Sequence, residues 1–564
     1  MLKLSAVAVA VILLSNPVLA QAQQPATKAA AAQPLAARLD ALFKPQYKAD
    51  DPGATVIVVK NGKTVFRKAY GAADVAAKTP LTPGTVLRLG SITKQFTAVA
   101  ILMLAEEGKL ALNDPITRFF PDYPTQGKVI TVEHLLTHTS GIVSYTGKSG
   151  YVSTMAKDLT VAQMIDGFRN DPLEFEPGTQ FRYNNSGYFL LGAIIERVSG
   201  TSYASFLEQR IFTPLGMKDT AYEGVERSSA PRAVGYSAQE KGFAPAQPLS
   251  MSQPYAAGAL VSTVDDLAKW DAAIASGKLL KPASWKMAFT SYKLSPEKST
   301  DYGYGWGVGT LQGTPMVDHG GGINGFRTHA LRLPEQKVFV AVLSNADSGN
   351  ANPEVLAKKA AALAIGKPFM EPKEFKLDAR ALDAFTGVYD IGNEQRDGKE
   401  KRTFTSRDGK LMMARGDRSP AALTPYSKYG FFFPGTLARF EFERDAQGKV
   451  THVTVDNAGE RTRNERVGDA PAEREAVKID NAGFDARAGA YQLAPQFTIT
   501  VSREGERYYA QATGQRKIEI FPASQDVFFS RDVNAELRFE QAADGAPVAV
   551  LHQNGQATRG TRLQ

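Results

Sequence analysis

Ser91 and Lys94 stand three residues apart in the stretch GSITKQF, directly before the most apolar helical run of the chain. Residues at this spacing share one face at the start of a helix. A serine hydroxyl becomes a strong nucleophile when a nearby base removes its proton, and a lysine kept neutral by burial can be that base. Amides at a helix N-terminus also favour developing negative charge. The stretch therefore predicts an activated serine nucleophile.

The Ser-x-x-Lys spacing is not diagnostic alone, because it recurs at Ser295 and Lys298, where proline and charged residues predict a loop. A second motif adds weight. In FRYNNSGYFLLG, Tyr183 and Asn185 are predicted to lie in the loop before a helix. A tyrosine facing cationic Lys94 would carry a lowered pKa and relay protons, and Asn185 would hold Lys94 and a substrate amide. A helix cap beside a half-buried aromatic is the alternative for this motif alone.

The third motif is DHGGGINGF, in which His319, Gly320 and Gly321 are predicted to precede a strand. Glycines at this position would let a substrate lie along the strand edge. The amide of Gly322 would then face that of Ser91 and form an oxyanion hole. A simple glycine-rich turn is the alternative interpretation.

In the order Ser-x-x-Lys, Tyr-x-Asn and His-x-Gly, the three motifs resemble those of the serine β-lactamase and penicillin-binding-protein superfamily. The branch they resemble most holds class C β-lactamases, D-aminopeptidases, D,D-peptidases and β-lactamase-like carboxylesterases. The resemblance implies that Ser91 is the acylated nucleophile, that Lys94 and Tyr183 transfer protons, and that Asn185 is a positioning residue. It places His319 where many relatives carry lysine.

This resemblance extends over about residues 40–365 and includes ITVEHLLTHTSGI, AAGALVSTVDDLAKW and DYGYGWGV. A hairpin at the start, helices in the middle and strands at the end indicate an α+β fold with an antiparallel sheet flanked by helices. The family implies an all-helical subdomain beside that sheet. After Lys367, two similar stretches of short strands predict two small antiparallel β-barrels, and their layout resembles bacterial D-aminopeptidases with lipocalin-like domains.

The predicted organisation has five parts. Residues 1–22 read as a secretory signal peptide, because Lys3 is followed by an apolar run and then by small residues ending at Ala20 or Ala22. The apolar run is shorter than the ~20 residues of a spanning helix, which argues against an uncleaved anchor. A low-complexity tether covers 23–36. A serine hydrolase domain covers 37–368 and is called the front domain below. Barrel 1 is predicted at 376–468 and barrel 2 at 480–564.

The composition excludes several functions. The chain has no cysteine, which excludes disulfides, thiol catalysis and cysteine metal sites. Its net charge of +8 is spread along the sequence, so a nucleic-acid partner is not predicted. No transmembrane segment is expected once the signal is removed, and no cofactor or metal is predicted.

Three other patterns are predicted to be structural. His134 and His138 are spaced like zinc ligands on a helix, but Leu135 stands where a metalloprotease has glutamate, so packing roles are favoured. Lys148-Ser149-Gly150 resembles a lysine form of the third motif but reads as a loop. Gly320, Gly322 and Gly325 match G-x-G-x-x-G, yet a strand hairpin follows rather than a helix, which argues against a dinucleotide site.

The sequence as a whole predicts a periplasmic or secreted serine hydrolase acting on a small molecule or peptide, with peptidoglycan-derived peptides among the candidates. D-amino-acid amides and peptides rank first, then esters, then β-lactams. A histidine is mostly neutral at pH 7, so His319 favours substrates without a carboxylate, although Arg327 offers a compensating cation. A non-catalytic ligand- or cell-wall-binding protein, and barrels that restrict access to the active site, are the other hypotheses. The oligomeric state is left open.

Overall fold

The computed structural model describes residues 33–148, 150–225, 228–295, 298–349, 351–391, 400–416, 418–494, 497–513, 515–542, 545–553 and 556–563. The predicted signal peptide and residues 23–32 of the tether lie outside these ranges. Within them, the longest apolar helices are still too short to cross a membrane.

The strands of the front domain pair antiparallel. In chain order they are β1 Ala54–Lys60, β2 Lys63–Tyr70, β3 Ala72–Asp74, β4 Thr79–Pro80, β5 Leu87–Arg88, β6 Ala221–Tyr222, β7 Tyr236–Ala238, β8 Phe243–Pro245, β9 Leu260–Ser262, β10 Lys293–Ser295, β11 Lys298–Ser299, β12 Gly307–Leu311, β13 Thr314–Ile323, β14 Phe326–Leu333 and β15 Val338–Ser344. Six of them form the main sheet in the order β12-β13-β14-β15-β1-β2.

The helices of the front domain cover both faces of this sheet. They are α1 Leu35–Phe43, α2 Thr93–Glu106, α3 Val132–Leu136, α4 Tyr151–Thr154, α5 Val161–Asp166, α6 Asn185–Ser199, α7 Tyr203–Leu207, α8 Thr213–Leu215, α9 Tyr255–Gly258, α10 Val264–Ala275, α11 Pro282–Ala288 and α12 Pro353–Ala364. Shorter 3-10 turns include Gly90–Ile92 and Tyr145–Gly147, and Glu208–Phe212 is π-helical.

Helix α2 lies at the centre of the front domain. Its residues from Thr93 to Leu104 are all buried, which explains why its sequence is apolar on every side. It packs against α6 and α9 on one side of the sheet, while α1 and α12 close a second apolar cluster on the other side. The predicted α+β arrangement, an antiparallel sheet flanked by helices, is confirmed.

Two closed antiparallel barrels of eight strands follow, as predicted. Barrel 1 contains β16 Gly387–Asp390, β17 Lys401–Arg407, β18 Lys410–Arg415, β19 Ala421–Pro425, β20 Gly430–Phe432, β21 Ala438–Arg444, β22 Val450–Asn457 and β23 Glu460–Gly468. Barrel 2 contains helix α13 Asn481–Asp485 and strands β24 Gly489–Ala494, β25 Phe497–Glu504, β26 Arg507–Ala512, β27 Ile518–Pro522, β28 Val527–Ser530, β29 Ala535–Gln541, β30 Pro547–Gln553 and β31 Gln556–Arg562.

Aromatic side chains fill both barrels. In barrel 1, Tyr389, Phe404 and Phe431 are fully buried at the centre, and Phe385 from the preceding 3-10 turn packs onto Phe431 and Phe442. Barrel 2 has an equivalent cluster of buried apolar side chains. Such interiors resemble ordinary hydrophobic cores rather than ligand cavities, which weighs against the hypothesis that the barrels hold an apolar ligand.

Barrel 1 rests on the turn between β12 and β13. The Gln312 amide donates to the Ala458 carbonyl at 2.8 Å, and Glu460 Oε1 accepts from the Thr310 amide at 3.2 Å. Along β13, this turn is about 20 Å from the third motif, at roughly 3.3 Å per residue. The contact therefore braces the far end of the strand that carries His319.

Candidate active site

Ser91 lies in the 3-10 turn Gly90–Ile92, between strand β5 and helix α2. The residue before the turn is tied on two sides: the Leu89 amide donates to the Leu260 carbonyl at 2.8 Å, and Thr328 Oγ1 donates to the Leu89 carbonyl at 2.7 Å. Gly90 takes a left-handed φ of +55°. Ser91 remains partly exposed, whereas Lys94, one turn later, is fully buried.

The Lys94 amine makes three hydrogen bonds. Its Nζ lies 2.9 Å from Asn185 Oδ1, 2.8 Å from the Ala257 carbonyl oxygen and 3.1 Å from Ser91 Oγ. The amide and carbonyl oxygens can only accept, so they take both hydrogens of a neutral amine. The remaining lone pair of Lys94 is then left for the Ser91 hydroxyl.

The surroundings of Lys94 favour that neutral form. Burial lowers the pKa of Lys94 well below its usual 10.5, because the charged ammonium loses its hydration in the protein interior. This environment agrees with the prediction that burial keeps Lys94 neutral beside Ser91.

Tyr183 lies over the same amine, with Lys94 Nζ 4.8 Å from the centre of its ring. The predicted lowering of its pKa is wrong. Protein atoms crowd the hydroxyl although 39% of the residue is exposed, and this desolvation raises the pKa of Tyr183; a hydrogen bond with Ser91 acts in the opposite direction but is the smaller effect. The physical reason is that a phenolate would lose more hydration in this crowded position than the hydrogen bond with Ser91 returns.

Asn185 is the first residue of α6 rather than part of the preceding loop. The helix begins here because Asn184 caps it, its side chain accepting from the Gly187 amide at 2.8 Å. Asn185 Nδ2 donates to Thr146 Oγ1 at 3.1 Å, which leaves Oδ1 for Lys94. The motif is thus both a helix cap and part of the lysine site.

His319, Gly320 and Gly321 precede strand β14, as predicted, but they also lie inside a strand of their own, β13, which was not predicted. Glycine disfavours strands in isolation, but here β14 pairs with this stretch through Ala330, His329 and Thr328 and fixes it. On the other side, the pairing with β12 ends at Asp318. The half of β13 from His319 onwards therefore presents a free edge on that side in the described pairings.

His319 is held in one tautomer. Its Nδ1 lies 2.6 Å from the Gly320 carbonyl, which can only accept, so Nδ1 carries the proton and Nε2 accepts from the Tyr302 hydroxyl at 2.9 Å. Burial, which removes the hydration of the charged imidazolium, lowers the pKa of His319 to about 4. His319 is accordingly neutral at pH 7.

The glycines of β13 bring its backbone against the serine turn. A β carbon on Gly90 would stand 3.1 Å from the Gly322 amide nitrogen, so this amide lies beside the residue that precedes Ser91. Gly322 itself is exposed, with no heavy atom within 4 Å of where its β carbon would be. A substrate can therefore reach the backbone of Gly322.

The residues of the other sequence patterns have structural roles. Lys148 pairs with Asp171 at 2.5 Å, while Ser149 lies outside the described residues. His134 closes a capping box with Thr131 at the start of α3. No group of three residues suited to a metal ion occurs in the described ranges of the chain.

Comparison with known families assigns this chain to one of them. Residues 39–365 match the family described as Beta-lactamase, which is more than half of the chain. The chain belongs to this family. It is therefore a serine hydrolase of the penicillin-binding and D-amino acid amidase type.

Two relatives are similar to this chain over different lengths. Penicillin-binding protein 4* of Bacillus subtilis (strain 168) is 25% identical over 546 residues, covering 93% of this chain and 98% of that protein. Protein flp of Staphylococcus aureus (strain MW2) is 31% identical over 307 residues, which are 53% of this chain and 60% of that protein. The first similarity thus includes both barrels.

Two solved structures share the fold. The octameric penicillin-binding protein homologue from Pyrococcus abyssi has a TM-score of 0.53 at 29% identity, covering 76% of this chain and 98% of its own. The D-amino acid amidase from Ochrobactrum anthropi SV3 has a TM-score of 0.50 at 25% identity, covering 59% and 97%.

Two residues of this site, Tyr302 and Ala257, were not predicted from the sequence. Tyr302 holds His319, and its only signal was the aromatic-glycine run DYGYGWGV. Gly305 in that run takes a φ of +84°, and a β carbon there would stand 2.8 Å from the Lys94 carbonyl oxygen. The second residue, Ala257, contributes only a backbone carbonyl, which leaves no mark on side-chain pattern.

Proposed function

We propose that this protein is an exported serine hydrolase that forms an acyl-enzyme on Ser91, with D-amino-acid amides and peptides as its preferred substrates. The observation that carries the proposal is the triangle around Lys94, in which two oxygens that can only accept leave its lone pair directed at Ser91 Oγ.

The first step transfers the Ser91 proton to Lys94 Nζ while Oγ forms a bond to the substrate carbonyl carbon. The carbonyl electron pair moves onto oxygen, and the backbone amides of Ser91 and Gly322 donate to this oxyanion. When the electrons return, the C–N bond breaks. The leaving amine takes the proton from Lys94, with Tyr183 as the relay between them.

Deacylation reverses these roles. A water attacks the Ser91 ester carbon and gives its proton to the lysine–tyrosine pair, and the proton returns to Oγ as the ester breaks. Asn185 holds Lys94 in place throughout and is within the site to accept or donate to a substrate amide.

The environment of His319 favours amide substrates that lack a free carboxylate. A neutral imidazole with both nitrogens engaged offers no charge to an anionic group. Arg327 pairs with Gly322 across the strands but belongs to the face opposite Thr328, whose hydroxyl points to the serine turn. It is therefore not placed on the same face as that turn.

The similarity to a D-amino acid amidase supports the choice of substrate class. The name of the Bacillus relative favours a second candidate function, acylation of Ser91 by penicillins. That relative also supports an extracytoplasmic location, together with the predicted signal peptide, and peptidoglycan-derived peptides are the natural source of D-amino-acid amide bonds in such a compartment.

A substrate panel tests the proposal. The wild type and Ser91→Ala would be compared on D- and L-phenylalanine amide, a peptide ending in D-alanyl-D-alanine, a p-nitrophenyl ester and a chromogenic cephalosporin. The matched control is Ser295→Ala, the serine of the other Ser-x-x-Lys, which should behave as wild type. We expect Ser91-dependent turnover with the D-amide above its enantiomer. Equal or higher rates on the L-amide would overturn the substrate class, and turnover retained by Ser91→Ala would overturn the mechanism.

A further inference from the structure

His138 lies in the turn that follows α3 and holds the loop of the second motif at two backbone positions. The Arg182 amide donates to the His138 carbonyl at 2.9 Å, and the Asn184 amide donates to His138 Nδ1 at 3.0 Å. These two bonds flank Tyr183 on either side in the chain. One residue thus fixes the backbone both before and after the tyrosine.

The imidazole of His138 also supports the tyrosine ring directly. The ring centres of His138 and Tyr183 are 4.3 Å apart, and those of His138 and Tyr302 are 4.7 Å apart. Tyr302 in turn donates to His319. His138 therefore contacts the second motif and the residue that holds the third.

The ring of His138 is held in one tautomer, and its backbone has a left-handed conformation. Because Nδ1 accepts from an amide, the proton of the neutral ring is on Nε2, which is buried and has no hydrogen-bond partner among the described residues. The residue is 1% exposed and takes a left-handed φ of +60°, which residues other than glycine adopt uncommonly, although histidine does so more often than most. Such a combination at a site is a reason to look for function.

We propose that His138 is a positioning residue, which fixes Tyr183 and Asn185 relative to Lys94 through the loop that carries them. This inference rests on the proposed role of Ser91. It assigns no contact between His138 and substrate. Its effect is on the geometry of proton transfer, since Asn185 bonds Lys94 and directly follows the amide that His138 holds.

Three substitutions separate the two contacts of the His138 side chain, the hydrogen bond from the Asn184 amide and the packing on the Tyr183 ring. His138→Asn keeps an acceptor near the Nδ1 position and tolerates the left-handed backbone but removes the ring. His138→Phe keeps a ring and removes the acceptor, and His138→Ala removes both. The matched control is His134→Ala, which removes a histidine of the same segment whose Nδ1 likewise accepts a backbone amide, that of Thr131, without placing Tyr183.

The test measures labelling of Ser91 by a fluorophosphonate as a function of probe concentration, which separates the maximal labelling rate from the half-saturating concentration. We expect His138→Ala and His138→Phe to lower the maximal rate about 10- to 100-fold, with the half-saturating concentration nearly unchanged. His138→Asn should recover most of the wild-type rate, and His134→Ala should stay within about twofold. Fluorescence of the three tryptophans, which all lie in the front domain, reports folding of each variant.

Wild-type maximal rates in folded His138→Phe, or equal losses in His134→Ala, would overturn the inference while leaving the function of Ser91 intact. If His138→Ala does not fold, the inference is tested by comparing the maximal labelling rates of His138→Asn and His138→Phe. If the wild type shows no Ser91-dependent labelling, the proposed function itself fails, and this result is distinct from the others.

Discussion

Gly321 lies so close to Leu89 that a β carbon on Gly321 would stand 1.9 Å from the Leu89 carbonyl oxygen. The same position would be 2.3 Å from Thr328 Oγ1, which donates to that carbonyl. Since Leu89 is two residues before Ser91, the strand of the third motif and the serine turn are in direct backbone contact. Only glycine allows this approach.

The first prediction follows from this contact. Gly321→Ala should displace the turn before Ser91, lower the free energy of unfolding by about 1–3 kcal/mol and reduce Ser91 labelling. Gly322→Ala is the matched control for stability, because open space surrounds its β carbon position. Urea unfolding followed by tryptophan fluorescence checks both variants. Equal unfolding midpoints for the two would contradict the packing described here.

The second prediction concerns the pH dependence of catalysis. Lys94 must be neutral to accept the Ser91 proton, and its pKa is well below 10.5. We expect kcat/KM to rise with pH and to reach a plateau well before pH 10.5. The raised pKa of Tyr183 means that phenol ionisation should not cause a decline below pH 10. A rate that falls steadily with rising pH from neutrality would speak against this assignment of the base.

The third prediction is about acid stability. The pKa of His319 is about 4 in the folded protein and about 6.5 when unfolded, so the unfolded chain takes up the proton first as pH falls. The contribution of His319 to stability is therefore present above pH 6.5 and is lost as pH falls towards 4, by about 3 kcal/mol in total. In His319→Gln this part of the loss should disappear. Parallel urea midpoints of wild type and variant between pH 7 and 4.5 would refute the expectation.

The fourth prediction tests how barrel 1 is attached. A β carbon on Gly459 would stand 2.5 Å from Gln312 Cα, so Gly459→Ala should loosen the barrel from the β12–β13 turn. Gly448→Ala is the control, since Gly448 shares a left-handed φ, +85° against +98°, but has no neighbour within 4 Å. Both variants should show similar backbone strain. Limited proteolysis near residues 367–376 should accelerate only for Gly459→Ala; equal rates in the two would exclude this docking contact.

Much of the site follows from the sequence because it depends on side-chain spacing. Ser91 and Lys94 come together since three residues along a helix start span one turn. Asn185 was predicted from the Tyr-x-Asn motif, in which it follows Tyr183 by two residues. The fold class followed from the order of hairpin, helices and strands.

The remaining features depend on contacts that spacing does not encode. The Ala257 carbonyl meets Lys94 only after α9 packs on α2, and the strand placement of Gly321 is imposed by pairing with Thr328. The pKa of Tyr183 was predicted with the wrong sign because its direction is set by desolvation of the phenol, which depends on packing in the folded chain. Tertiary packing determines each of these.

The most direct test is to identify the acylated residue. The purified protein would be incubated with a fluorescent penicillin and with a fluorophosphonate, digested, and the modified peptide sequenced by mass spectrometry, with Ser91→Ala and Ser295→Ala treated in parallel. We expect one adduct, on the peptide containing Ser91, which is retained in Ser295→Ala and lost in Ser91→Ala. An adduct on another residue, or undiminished labelling of Ser91→Ala, would contradict it.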